Sequence, residues 1–139
     1  MSDSVRVRSF ASADEAAVVD LWQRCDLTRP WNDPRKDIQR KLRVQAEMFL
    51  VAEDEGAIVG TVMAGYDGHR GWIYSIGVAP GERRRGHARA LLAHVEDQLR
   101  ALGCPKINLQ VLAINEEALH FWRAAGYQAD HVVSLGRRL

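Results

Sequence analysis

Val78-Ala79-Pro80-Gly81-Glu82-Arg83-Arg84-Arg85-Gly86-His87-Ala88 is the stretch on which the fold of this chain turns. A strand pattern ends at Val78, and a tight turn then sets three arginines and a glycine at the mouth of an apolar-striped helix. Backbone N–H groups in the first turn of a helix lack intrahelical partners, and the aligned peptide dipoles make that end positive. Such an end attracts anions, and a glycine there lets a ligand approach the main chain closely. Hydrogen bonds to a charged group contribute about 1.5–3 kcal/mol each, so several amides converging on a diphosphate would anchor a nucleotide-type ligand. The stretch points to a phosphate-bearing ligand.

The helix that follows supports this placement. Ala88, Leu91, Leu92, Val95, Leu99 and Leu102 recur at three- and four-residue spacing and form one buried stripe. Gly103 ends the helix, Pro105 prevents its resumption, and Lys106-Ile107-Asn108-Leu109-Gln110-Val111 reads as the next strand. Neither G-x-x-x-x-G-K-[ST] nor G-x-G-x-x-G occurs, which argues against a P-loop triphosphate or a Rossmann dinucleotide.

Bulk properties narrow the class further. A chain of 139 residues is one domain by size, residues 1–139, and is long enough to bury a core without staples. Nineteen basic against eighteen acidic side chains give a net charge of +1, too balanced for a general nucleic-acid or membrane binder. Cys25 and Cys104 lack metal-ligand spacing and read as reduced thiols. His87, His94, His120 and His131 share no helix face with ligand spacing, so no metal is expected. No long apolar run or signal-peptide layout is present, and a soluble cytoplasmic protein is the expectation.

Around the central motif the chain alternates strand and helix patterns. Val5-Arg6-Val7-Arg8 opens as a strand, and Ser12-Ala13-Asp14-Glu15 reads as a capping box before a helix that buries Val18, Leu21, Trp22 and Cys25. After a loop from Thr28 to Pro34, a second helix is expected over 34–46. Residues 49–53 and 58–64 form a hairpin around Glu55-Gly56, Asp67–Gly71 is a loop, and Trp72 to Val78 is the next strand. Asn115 caps a helix through Ala125 that Gly126 ends, and one or two closing strands are expected from Tyr127 onward. The pattern is α+β, around a mixed, twisted sheet of six to seven strands flanked by about four helices.

Arg83-Arg84-Arg85-Gly86-His87-Ala88 fits the [RQ]-x-x-G-x-[GA] signature of the GNAT superfamily of acyl-CoA-dependent N-acetyltransferases. Leu109-x-Val111-x-x-x-Asn115-x-x-Ala118-x-x-Phe121-Trp122-x-x-x-Gly126-Tyr127 resembles that superfamily's second half, in register apart from one position. The resemblance covers roughly Phe49 to the C-terminus. Leu21-Trp22-x-Arg24-Cys25-Asp26-Leu27-x-Arg29-Pro30-Trp31-Asn32-Asp33-Pro34 further resembles a YpeA-like bacterial subgroup.

The resemblance implies acetyl-CoA as co-substrate. Its pantetheine arm would lie along Ile76, Gly77 and Val78, and its diphosphate would sit on amides near Arg83, Arg84, Arg85, Gly86, His87, Ala88 and Arg89. Asn115, Ala118 and Phe121 would complete the cofactor side. The Val78 N–H would polarise the thioester carbonyl, in a cleft that holds both reactants together. Trp122 occupies the position where the superfamily usually carries a tyrosine that protonates the departing thiolate. Indole N–H is far too weak an acid for that step, whereas a thiol with a pKa near ~8.5 can take its proton from water. Two functions stay open here: an active enzyme acting on a small-molecule or peptide amine, or a catalytically impaired acyl-CoA sensor.

The general base is also open among Asp26, Asp67, His69 and Tyr74, directly or through water. Trp31, Asp33 and Asp67 are candidates for the acceptor pocket, and Asp33 and Trp31 equally suit a structural loop. At pH ~7.5 a lysine amine is neutral in about one molecule in 800, a cost of ~4 kcal/mol, while an α-amine pays only ~0.6 kcal/mol. A site without a strong base thus suits α-amines. Neither nucleic acid nor membrane is expected as a partner, and the chain would be a monomer or homodimer.

Overall fold

The computed structural model describes residues 5–139. In chain order its elements are β1 (Val5–Ser9), α1 (Glu15–Arg24), α2 (Pro34–Lys41), β2 (Phe49–Asp54), β3 (Ala57–Tyr66), β4 (Gly71–Val78), α3 (His87–Ala101), β5 (Ile107–Leu109) and α4 (Glu116–Ala124). Short 3₁₀ turns lie at Ser12–Asp14, Ala46–Met48 and Pro80–Glu82. The strands form one sheet in the order β1-β2-β3-β4-β5, antiparallel except for the parallel β4–β5 pair. This is the mixed α+β architecture expected of a GNAT fold, with five strands in place of six to seven. No helix among the described residues is long and apolar enough to cross a membrane.

Both faces of the sheet are covered, which explains the continuous apolar run Phe49–Ala52 in β2. Alternate residues serve opposite faces. Phe49, Val51 and Met63 join Phe10, Val18, Trp22 and Ile38 under α1 and α2, with Phe10 stacked on Phe49 at 4.5 Å between ring centres. Leu50 and Val62 join Leu91, Leu92, Val95, Leu99 and Trp122 beneath α3 and α4. The β2–β3 hairpin turns on Glu55 and Gly56, both with positive φ (51° and 84°), the mirror-image turn that matches strand twist.

Three local expectations change. Asp14, not Ser12, heads α1 and gives it no side-chain cap; its carboxylate accepts instead from Arg8, at 2.8 and 2.9 Å, and from the Ala11 N–H at the head of the preceding 3₁₀ turn. The second helix stops at Lys41, short of Ala46, because Gln45 takes a left-handed conformation. The Gln45 side-chain amide then bonds the Tyr66 N–H and C=O at 2.7 and 3.1 Å, a tertiary tie that outweighs helix propensity. The closing strands do not form. β5 is only three residues long, and the chain beyond α4 is tied to it by side chains: Lys106 Nζ and Asn108 Nδ2 each reach Asp130 at 2.8 Å, and Gln110 reaches Ser134.

One buried hydrogen bond pins α1 to the sheet: Trp22 Nε1 donates to Thr61 Oγ1 at 2.9 Å. Thr61→Val keeps the shape but leaves the indole N–H without an acceptor. A loss of about 1–3 kcal/mol in urea denaturation is expected. An unchanged midpoint would show that the indole finds another partner.

Candidate functional site

β4 has a partner on each side only along its first half. Gly71, Trp72 and Ile73 pair with Ile107, Asn108 and Leu109 of β5, and there the ladder ends. On its other side β3 follows β4 as far as Val78. The β3–β4 register skips one residue, with Ala64 opposite Ile73 and Met63 opposite Ser75, so Tyr74 is bulged. A bulge bends its strand and sharpens the twist, and this one falls immediately after the last β4–β5 pair. The two strands part at that point.

The parting exposes main chain. Ala79 N–H donates to the Val59 carbonyl at 2.8 Å, which makes Gly60–Val78 a pair without mutual hydrogen bonds, and by alternation Val62–Ile76 as well. Ile76 and Val78 therefore turn their amide groups toward the side that β5 has left. The Val78 carbonyl is met there by Cys25 Sγ and Arg83 Nε, each at 3.3 Å. Gly77 faces α1 instead: a Cβ at this position would come within 2.8 Å of Leu27 Cδ1 and 3.7 Å of Cys25 Sγ. Only glycine leaves that wall undisturbed.

The open edge runs directly into the turn before α3. Arg84 (φ 66°) and Gly86 (φ 83°) are both left-handed. Gly86 stands at the N-cap without a side chain, and no acidic residue occupies the first turn, so the amide end of α3 is neither capped nor neutralised. Arg84 is exposed, while Arg85 Nη1 pairs with Glu82 Oε2 at 3.1 Å. The His87 ring is fully buried, with Nε2 3.4 Å from the same Glu82 oxygen and Nδ1 without a partner. His87 is buried as a whole residue, at the foot of the turn. Asp54, Glu82 and His87 each bring one ligand-type atom within 4.8 Å of the others, a convergence across distant sequence positions that spacing does not reveal.

α4 closes the other side. Asn115 caps it, with Oδ1 accepting the Ala118 N–H at 3.0 Å. The Phe121 ring lies 5.6 Å beneath the Arg89 guanidinium, which links α4 to the first turn of α3. The structure so gathers Ile76 to Val78, residues 83–89 and Phe121 around one open edge.

A model of the acetyltransferase (GNAT) family matches residues 16–127. The chain belongs to that family. The acetyltransferase YE1169 of Yersinia enterocolitica is 48% identical over 135 residues, covering 97% of this chain and 96% of the relative. Ard1 from Thermoplasma volcanium superposes with a TM-score of 0.80 at 25% identity, over 88% of this chain and 82% of that one. The aminoglycoside N-acetyltransferase AAC(6')-Iy, solved in complex with CoA, shares the fold with a TM-score of 0.79 at 20% identity, over 96% and 94% of the two chains.

In this N-acetyltransferase the candidate bases do not converge. Asp26 is 98% exposed and lies 3.8 Å from Arg29, beside the Val78 end of β4. Asp67 and His69 sit in the loop before β4, at its opposite end. The Arg70 and His69 amides hold the Asp67 carboxyl below the usual range, and burial together with Asp67 pushes the Tyr74 phenol up. Tyr74 sits at the bulge and is 64% exposed. Asp33 Oδ1 caps α2 through the Arg35 N–H at 2.9 Å, and Trp31 lies exposed beneath the Arg138 guanidinium at 4.8 Å.

Two polar side chains on the α1–α2 side of the sheet are not among the candidates. Cys25 meets the Val78 carbonyl, and Lys41 donates to the Val44 and Ala64 carbonyls beside Tyr74, its ammonium pKa lowered by burial. A cavity of about 500 Å³ lies elsewhere, between Glu96, Arg100, Lys106 and Asp130, and none of the candidate residues lines it.

Trp122 packs into the core, 7% exposed and edge-on to Phe121 and Tyr127 at 5.2 and 5.0 Å. Trp122→Ala should cost about 3–5 kcal/mol of stability, read from denaturant unfolding, as expected for deletion of a large core aromatic. A loss below ~1 kcal/mol would place the ring on a solvent-filled cleft instead.

Proposed function

We propose that this N-acetyltransferase uses acetyl-CoA and transfers the acetyl group directly to a primary amine of a small molecule or peptide. One observation carries the reading: the open edge of β4 leads straight into the uncapped first turn of α3. Coenzyme A has matching chemistry in the same order, an amide-bearing arm followed by a diphosphate. The arm would add to β4 as an extra strand through Ile76 and Val78. Amides from residues 84–89, with Arg83, Arg84 and Arg85 nearby, would hold the diphosphate. Asn115, Ala118 and Phe121 would border the arm from α4. The CoA complex of the structurally similar AAC(6')-Iy supports this choice of donor.

The Val78 carbonyl is occupied by Cys25 and Arg83, which leaves its N–H as the group to polarise a thioester carbonyl. Trp122 lies in the core and its indole is no acid, so the departing thiolate takes its proton from solvent. Asp67 is too strong an acid and Tyr74 too weak a one to serve well as base near neutrality. Asp26 and His69 lie at opposite ends of β4, so with no base singled out the acceptor would arrive neutral, which favours amines of low pKa such as peptide α-amines.

Gly86→Glu sets a carboxylate and a Cβ against the proposed diphosphate, and should lower CoA affinity by more than about 100-fold while the fold persists. Undiminished affinity in calorimetry would contradict the site. The rate should follow the acceptor's own ionisation: kcat/KM rises tenfold per pH unit and levels at the amine pKa, near ~7.8 for an α-amine and ~10.4 for a lysine side chain. A common inflection for both acceptors would reveal an enzyme base instead. Saturable acetyl-CoA binding with no thiol release across an amine panel would overturn turnover and support the sensor.

A further inference from the structure

Glu82 is out of place for an anion site. Its carboxylate sits on the 3₁₀ turn just before the amides that would hold a diphosphate, where its charge alone would repel the ligand. The same oxygen, however, accepts from Arg85 Nη1 at 3.1 Å and faces His87 Nε2 at 3.4 Å. These contacts straddle Arg84 and Gly86, the two left-handed residues of the turn. A non-glycine residue in that conformation is strained and persists only where its surroundings over-determine it. Arg84 itself is exposed, so the restraint must come from its neighbours. The buried His87 ring supplies a fixed post on one side, and the Arg85 guanidinium supplies a tie on the other.

We propose that Glu82 is a positioning residue for donor binding: its carboxylate clasps Arg85 and the buried His87, and thereby holds the turn with its amides outward. This rests on the reading of the turn as a diphosphate site. Glu82 touches neither donor nor acceptor in this account. It orders the main chain that does, and the gain from several aligned amides exceeds the repulsion from Glu82, paired with Arg85, and from the neighbouring Asp54.

Calorimetric titration of the full chain with coenzyme A and with pantetheine, which keeps the arm and thiol but lacks the diphosphate, tests the clasp. Glu82→Ala should weaken coenzyme A binding about tenfold, the scale of one charged hydrogen bond, and leave pantetheine binding unchanged. Glu82→Gln, which keeps the volume and an acceptor oxygen, should lose less and provides the reading if the alanine variant folds poorly. Simple charge removal predicts the opposite sign, tighter coenzyme A binding, and that result would overturn the clasp. Equal weakening toward both ligands would overturn it too, because it would mark general structural damage. If wild type prefers coenzyme A to pantetheine and both variants keep that preference, the clasp alone fails. If wild type shows no such preference, the diphosphate site fails and the clasp with it.

Discussion

The separation of β4 from β5 after Ile73 governs the rest of this molecule. An unpaired strand edge is ordinarily a hazard, since its N–H and C=O groups invite association with any other chain. Here the exposed edge is short, lies beside β5 rather than on the rim of the sheet, and belongs to a strand that α1 and α3 both contact. The bulge at Tyr74 produces the separation by re-aiming β4 just where β5 ends. A continuous β4–β5 ladder would satisfy the same amides internally and leave no place for a ligand strand. Pairing withheld along a few residues is thus what converts a stable sheet into a binding device.

The turn that follows works by the same logic of groups left unsatisfied. Gly86 supplies no cap, so the positive end of α3 stays available, while Glu82, Arg85 and His87 tie the turn from behind. The two faces of the sheet differ. In the proposed reading, donor contacts would belong to the α3–α4 side and to the edge itself. The α1–α2 side presents Cys25, Leu27, Lys41 and Tyr74, a wall of mixed polarity. On that reading the rate would come mainly from holding reactants together, with deprotonation left to the acceptor's own acidity.

Much of this was legible in the chain. The stripe Leu91, Leu92, Val95, Leu99 gave α3 because that periodicity matches the face α3 buries on the sheet, and Glu55-Gly56 gave the hairpin because two consecutive positive φ angles admit few residue pairs. Asn115 announced its own role as a cap. Features set by distant partners were not legible. Asp14 binds Arg8 as well as the Ala11 N–H, Gln45 breaks a helix in order to bond Tyr66, and Trp122 packs edge-on to Tyr127 in the core. The closing strand failed for a related reason. The stretch from Tyr127 onward reads as one or two strands, but strand formation needs an edge, and β5 offers only three residues. The Tyr74 bulge likewise depends on register, which one strand's sequence does not specify.

The central claim is that the open β4 edge and the α3 amides together form one donor site. Amide chemical shifts of nitrogen-labelled protein titrated with coenzyme A test it most directly. The account predicts that perturbations concentrate at Ile76, Val78 and residues 84–89, and that pantetheine reproduces those on β4 without those on the turn. Perturbations confined to the cavity lined by Glu96, Arg100, Lys106 and Asp130, with β4 and the turn silent, would contradict it.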